Sequence, residues 1–145
     1  MKIQCNPVEK QIVEDVLKFL TISQSQVLDQ FMSINGAFTD GTGQQKFIYI
    51  PPKRKDAVLL VAHSDTVWNN YIIKPQYDTD LKIIYSSNLN EKFIQKRRNN
   101  GCRTSDGVGI GADDRVGCYI LWKLRKLGHG LLITSGEEIG GISSN

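Results

Sequence analysis

The sequence predicts an α/β fold with a mostly parallel central sheet and helices on both of its faces. Two apolar runs and the segment between them predict it. Ala57, Val58, Leu59, Leu60, Val61 and Ala62 are continuously apolar, as in a central parallel strand buried on both sides. Leu131, Leu132, Ile133 and Thr134 form a second such run. A helical pattern opening at Asp113 lies between them, and strand, helix and strand in that order make a βαβ-type layer.

The elements follow from local signals. Asn6 is a helix cap, Pro7 suits the first helical position, and Glu9 completes a capping-box pattern. Val8, Ile12, Val16 and Leu20, with Val13 and Leu17 beside them, make one apolar stripe. A second helix is expected over residues 25–34, with Val27, Leu28, Phe31 and Met32 inward and Asn35-Gly36 as its stop. A turn at residues 40–43 leads into a strand over residues 46–50, and residues 51–56 form an exposed connection. Residues 71–73 and 81–85 can pair around the turn-rich segment between them. The helix from Asp113 places Val116, Tyr119, Ile120, Leu124 and Leu127 on one face and ends at Gly128.

At 145 residues the chain fits one domain, with enough length for a hydrophobic core. Hydrophobic content of 40% and charged content of 23% are those of a soluble globular protein. The net charge of +3 comes with two short basic runs, Lys53-Arg54-Lys55 and Lys96-Arg97-Arg98. Both read as separate loop tips, so no nucleic-acid partner is expected. Cys5, Cys102 and Cys118 form neither a disulfide framework nor a paired zinc pattern. With no signal-peptide core and no membrane-length apolar stretch, a soluble cytoplasmic protein is expected.

Three polar clusters sit where apolar strands or glycine-rich loops end. His63 and Asp65 share a face if strand geometry persists through them. Histidine is the commonest metal ligand, and a carboxylate on its other ring nitrogen fixes the tautomer. The plainer explanation, a hydrogen-bonded histidine followed by a turn, is favoured for the tripeptide taken alone. Asp113 and Asp114 open a helix, where carboxylates cap free N–H groups, yet a carboxylate can also bridge two cations. Glu137 and Glu138 are unremarkable on a surface. At the mouth of a buried strand, two such carboxylates repel unless a cation is present.

In order, His63-Ser64-Asp65-Thr66-Val67, residues 111–117 and Gly136-Glu137-Glu138-Ile139-Gly140 resemble the co-catalytic zinc exopeptidases. That group includes aminopeptidases of the leucyl aminopeptidase type, peptidase T, and related carboxypeptidases and deacylases. The resemblance spans residues 57–141, and the strands and helix there match that fold's catalytic core. It implies that His63 binds one zinc ion, Asp113 bridges two, and Glu138 binds the other. It also implies that Glu137 is the general base and that Asp65 orients His63. Asp114 receives no direct role, and Arg115 is expected on the helix surface.

The same resemblance implies five metal ligands, and the remaining acidic and histidine positions would fall beyond Asn145. His129 is expected at the opposite end of the sheet from Glu138, in a surface or packing role. A fragment, a site completed by another subunit and a degenerate relative are all compatible with this, and the abrupt ending favours truncation. An uncovered sheet edge would favour self-association into a homo-oligomer. The expected activity is attack of zinc-activated water on a peptide or small-amide carbonyl. The alternative is a non-catalytic binding or assembly module on the same fold.

Overall fold

The computed structural model describes residues 6–42, 45–66, 75–86 and 110–139. Helices α1 (Pro7–Thr21) and α2 (Gln24–Met32) are followed by strands β1 (Phe38–Asp40), β2 (Phe47–Ile50) and β3 (Leu59–His63). A hairpin of β4 (Pro75–Asp78) and β5 (Ile83–Ser86) precedes helix α3 (Ala112–Leu124), a single 3-10 turn (Arg125–Leu127) and strand β6 (Gly130–Thr134). A second 3-10 turn, Glu137–Ile139, follows β6.

The main sheet runs β1-β2-β6-β3. Its β3–β6 pair is parallel, with His63 opposite Thr134, whereas β1–β2 and β2–β6 are antiparallel. The α/β class and the parallel pairing of the strands flanking α3 agree with the sequence reading; the sheet as a whole is mixed.

All three helices share one core. Ile48, Ile50, Ala62, Leu131 and Ile133 point to one side of the sheet and meet Phe19, Val27, Leu28, Phe31, Cys118, Tyr119 and Leu121. Two edge-to-face ring pairs tie α1 and α2 to α3, Phe19–Tyr119 at 5.8 Å and Phe31–Trp122 at 5.6 Å. Among the described residues the opposite side of the sheet bears no helix. The expectation that residues 57–62 are buried on both faces is therefore corrected: β3 is an edge strand of this sheet, and Leu59 and Val61 are 52% and 55% exposed. Period-two packing takes alternate residues out of the core, however apolar they are.

Local signals account for the helix starts. The Asn6 side chain accepts the Val8 N–H at 3.0 Å. The Glu9 carboxylate accepts from Tyr77 and, at 2.6 Å, from Lys82, which pins the β4–β5 hairpin to α1. Ser23 and Gln26 form a reciprocal capping box that starts α2. In α1 the predicted stripe is buried only at its end: Leu20 is in the core, while Val8 and Ile12 are exposed. Residues 71–73 lie outside the described residues, and the hairpin strand is instead Pro75–Asp78. No described helix is long and apolar enough to cross a membrane.

Candidate metal centre

Three elements converge at the carboxyl end of the β3–β6 pair. Strand β3 delivers His63 and continues as Ser64, whose N–H donates to the Thr134 carbonyl at 2.8 Å. The Ser64 hydroxyl donates to the same oxygen at 3.0 Å. Beyond β6, the Ser135 N–H and hydroxyl both donate to the Lys46 carbonyl, at 3.0 and 2.7 Å. Gly136, at φ +86°, then turns the chain so that Glu137 and Glu138 face His63. These fully buried serines fix where the glutamates start.

Helix α3 contributes Asp113. Asp113 and Asp114 are non-helical, and the peptide bond between them is cis. Regular helix therefore begins after Asp114, whose Oδ1 accepts the Gly117 N–H at 3.0 Å. Gly117 makes this possible, because a Cβ there would lie 2.1 Å from Asp114 Oδ1. Asp114 is thus the cap, and burial raises its pKa above the usual carboxylate value against the lowering effect of His63. Asp113 takes no part in the cap; its side chain is 89% exposed, with Oδ1 3.1 Å from His63 Nε2.

His63 is poised from both ring nitrogens. Its Nδ1 lies 3.1 Å from the Asp65 carbonyl and its Nε2 3.1 Å from Asp113 Oδ1. Both partners are acceptors, so in the metal-free protein the contacts suit a ring that donates from both nitrogens, and a metal ion would take the place of the Nε2 proton. Nε2 faces Asp113 and, at 3.8 Å, Glu137 Oε2. Burial opposes charge on this imidazole, but the Asp113 hydrogen bond and the field of Asp65 and Asp114 outweigh it, so its pKa is raised. Asp65 lies beneath: Oδ2 accepts the Glu138 N–H at 3.0 Å, and Oδ1 is buried 3.6 Å from His63 Nδ1 with no hydrogen-bond partner. One carboxylate thus links the histidine to the glutamate pair.

The five residues singled out in the sequence, His63, Asp65, Asp113, Glu137 and Glu138, are brought to one place. His63, Glu137 and Glu138 offer ligand atoms that all lie within 4.8 Å of one another. A borderline-soft nitrogen among hard carboxylate oxygens is a donor set that zinc accepts. Three supporting residues escaped the sequence reading. Ser64 and Ser135 could have been suspected from their places directly after apolar strands. Arg115 is the third, and its expected surface position is corrected. It is 3% exposed, and Nη1 donates to the Ile22 carbonyl at 2.9 Å. Arg115, Cys118, Tyr119 and Trp122 follow helical spacing, so the inward face of α3 is set by Arg115, while Ile120 and Leu127 are exposed. Cys118 is fully buried, donates to the His63 carbonyl at 3.2 Å, and has its pKa pushed up to about 12 by burial. His129 is at the far end of β6, where Nδ1 accepts the Val58 N–H.

No family model matches the sequence, and no curated protein matches it. The fold does match solved structures. A tripeptidase from Staphylococcus aureus subsp. aureus Mu50 superposes with a TM-score of 0.59 and 18% identity, covering 93% of this chain. Aminopeptidase PepT from Bacillus cereus ATCC 10987 gives 0.56 and 15% identity, again over 93% of this chain. The chain shares the fold of a portion of each of these two proteins. It spans 38% of the length of each of these two proteins.

Proposed function

We propose that this chain is the metal-binding part of a zinc-dependent peptidase or amidohydrolase that cleaves a terminal residue from a peptide or small amide. The convergence of His63, Glu137 and Glu138, with Asp113 3.1 Å from the same imidazole, supports it most directly. His63 Nε2, Asp113 and Glu138 would hold the metal, and Asp113 would be shared with a second ion. Bound divalent cation there supplies polarisation of the scissile carbonyl and a lowered pKa for the attacking water.

The other residues have separate work. Glu137, half exposed beside His63, accepts the proton of the attacking water and returns it to the leaving amine. The Asp65 backbone carbonyl accepts from His63 Nδ1, while the Asp65 carboxylate sets a negative charge beside the ring and, through the Glu138 N–H, fixes the spacing between histidine and glutamate. Peptide substrates are supported by the tripeptidase and aminopeptidase that share the fold. A cytoplasmic setting is supported by the free, buried Cys118 thiol.

Zinc uptake separates this reading from a non-catalytic assembly module. Equilibrium dialysis followed by elemental analysis is expected to show retained zinc in the unaltered protein and in Glu137→Gln, but loss of at least one ion in His63→Ala and Glu138→Ala. Equal retention in all four proteins would remove the assignment.

A further inference from the structure

The amino end of the same strand pair holds a second feature that hydrolysis does not use. A cavity of about 450 Å³ opens between the end of α2, the β2–β3 connection and the turn after α3. Ser33, Ile34, Lys53, Trp122, Arg125, Lys126 and Gly128 line it. Three of these are cations, and none is a carboxylate. The nearby Asp56 is occupied by Arg54, which grips both of its oxygens.

Lysine and arginine after a helix end ordinarily complement the helix dipole, and that would account for Arg125 and Lys126 alone. It does not account for Lys53, which comes from a different connection. The Lys53 N–H donates to the Gly128 carbonyl at 2.9 Å, which brings that connection against the α3 turn. Gly128, at φ +79°, makes the reversal. Arg125 is held in place before any ligand arrives: its guanidinium lies 3.9 Å from the Trp122 ring centre and donates to the Trp122 carbonyl. A guanidinium has five N–H donors, so others remain for an oxyanion. The cavity also exceeds what phosphate alone would fill and lies within the range of small-molecule sites, roughly 300–1,000 Å³. Ile34 and Trp122 supply apolar wall for the rest of the ligand.

We infer that this pocket binds a phosphorylated small molecule, with the phosphate among Lys53, Arg125 and Lys126 and the organic body against Ile34 and Trp122. The site is independent of the metal centre and of the reaction proposed there. Its concave shape among the described residues distinguishes it from a strip that tracks a nucleic-acid backbone.

Calorimetric titration of the full chain with pyrophosphate, AMP and a single-stranded oligonucleotide tests this. A Trp68→Phe version, leaving Trp122 as the reporter, is followed by fluorescence in parallel. Saturable one-site binding of pyrophosphate or AMP is expected, at least tenfold weaker in Lys53→Ser/Lys126→Ser, with zinc uptake and melting temperature unchanged. Absence of saturable binding, or equal affinity in the double variant, overturns the inference. Oligonucleotide binding tighter than AMP, with a steep salt dependence, would also overturn it by revealing a nucleic-acid surface.

Discussion

At the carboxyl end of the parallel β3–β6 pair, Asp65, Asp113, Asp114, Glu137 and Glu138 crowd around one imidazole; at the amino end, Lys53, Arg125 and Lys126 crowd around one indole. Helix α3 spans both, with acid at its start and base at its finish, the order its dipole favours. What separates the ends is how the charges are held. The acidic end is built from buried parts: Ser64, Ser135 and Asp65 each fix a neighbouring backbone position. The basic end rests on a stacked Arg125 and one backbone hydrogen bond, with both lysines in water. Crowded like charges are screened in the exposed case and less so in the partly buried one. A cation should therefore stabilise this protein more than an anion does.

Substitutions at each end can break that contrast. The largest effect is expected for Phe31→Ala, which removes a fully buried ring packed on Trp122 beneath the basic pocket. Urea unfolding should show a loss of about 3–5 kcal/mol, while zinc affinity of the folded fraction is retained. Asp65→Asn should do the reverse. Zinc affinity by competition with a chelating dye is expected to fall by about 10–100-fold, with little loss of metal-free stability because one crowded charge is gone. An equal loss of stability would mean that Asp65 serves the fold rather than the histidine.

A smaller effect is expected for Gly117→Ala. The new methyl displaces the Asp114 carboxylate and removes the cap of α3, at a cost of about 1 kcal/mol in thermal or urea unfolding. The smallest comes from the surface pair Lys123–Asp15, 3.1 Å apart, which ties α3 to α1 away from both ends. The Lys123 hydrogen bond lowers the Asp15 pKa below its ordinary 3.8. Stability from this pair is therefore complete above that value and is lost as pH falls through the depressed one. Lys123→Ala should flatten the acid side of the stability curve and cost under about 1 kcal/mol at neutral pH.

Much of this was legible in the sequence, and the failures have specific causes. The order of strand, helix and strand placed His63 and Glu138 at one end, since parallel strands joined by a helix bring their carboxyl ends together. The capping of α1 by Asn6 and the inward face of α2 followed from short-range rules. Val61 and Leu59 misled because apolar composition does not report whether a strand has neighbours on both faces. Arg115 misled because charge suggested a surface, whereas its hydrogen bond to the Ile22 carbonyl depends on a chain segment 93 residues away. The basic pocket was not foreseen for the same reason: Lys53 and Arg125 are neighbours only once Gly128 has turned the chain.

Anomalous X-ray scattering at the zinc edge, from crystals grown with zinc, addresses the metal centre most directly. A peak about 2.0–2.2 Å from His63 Nε2 and from a Glu138 oxygen, with Asp113 turned toward it, is the expected result. Zinc found only elsewhere, with His63 Nε2 still bonded to Asp113 and no density between His63 and Glu138, would contradict it.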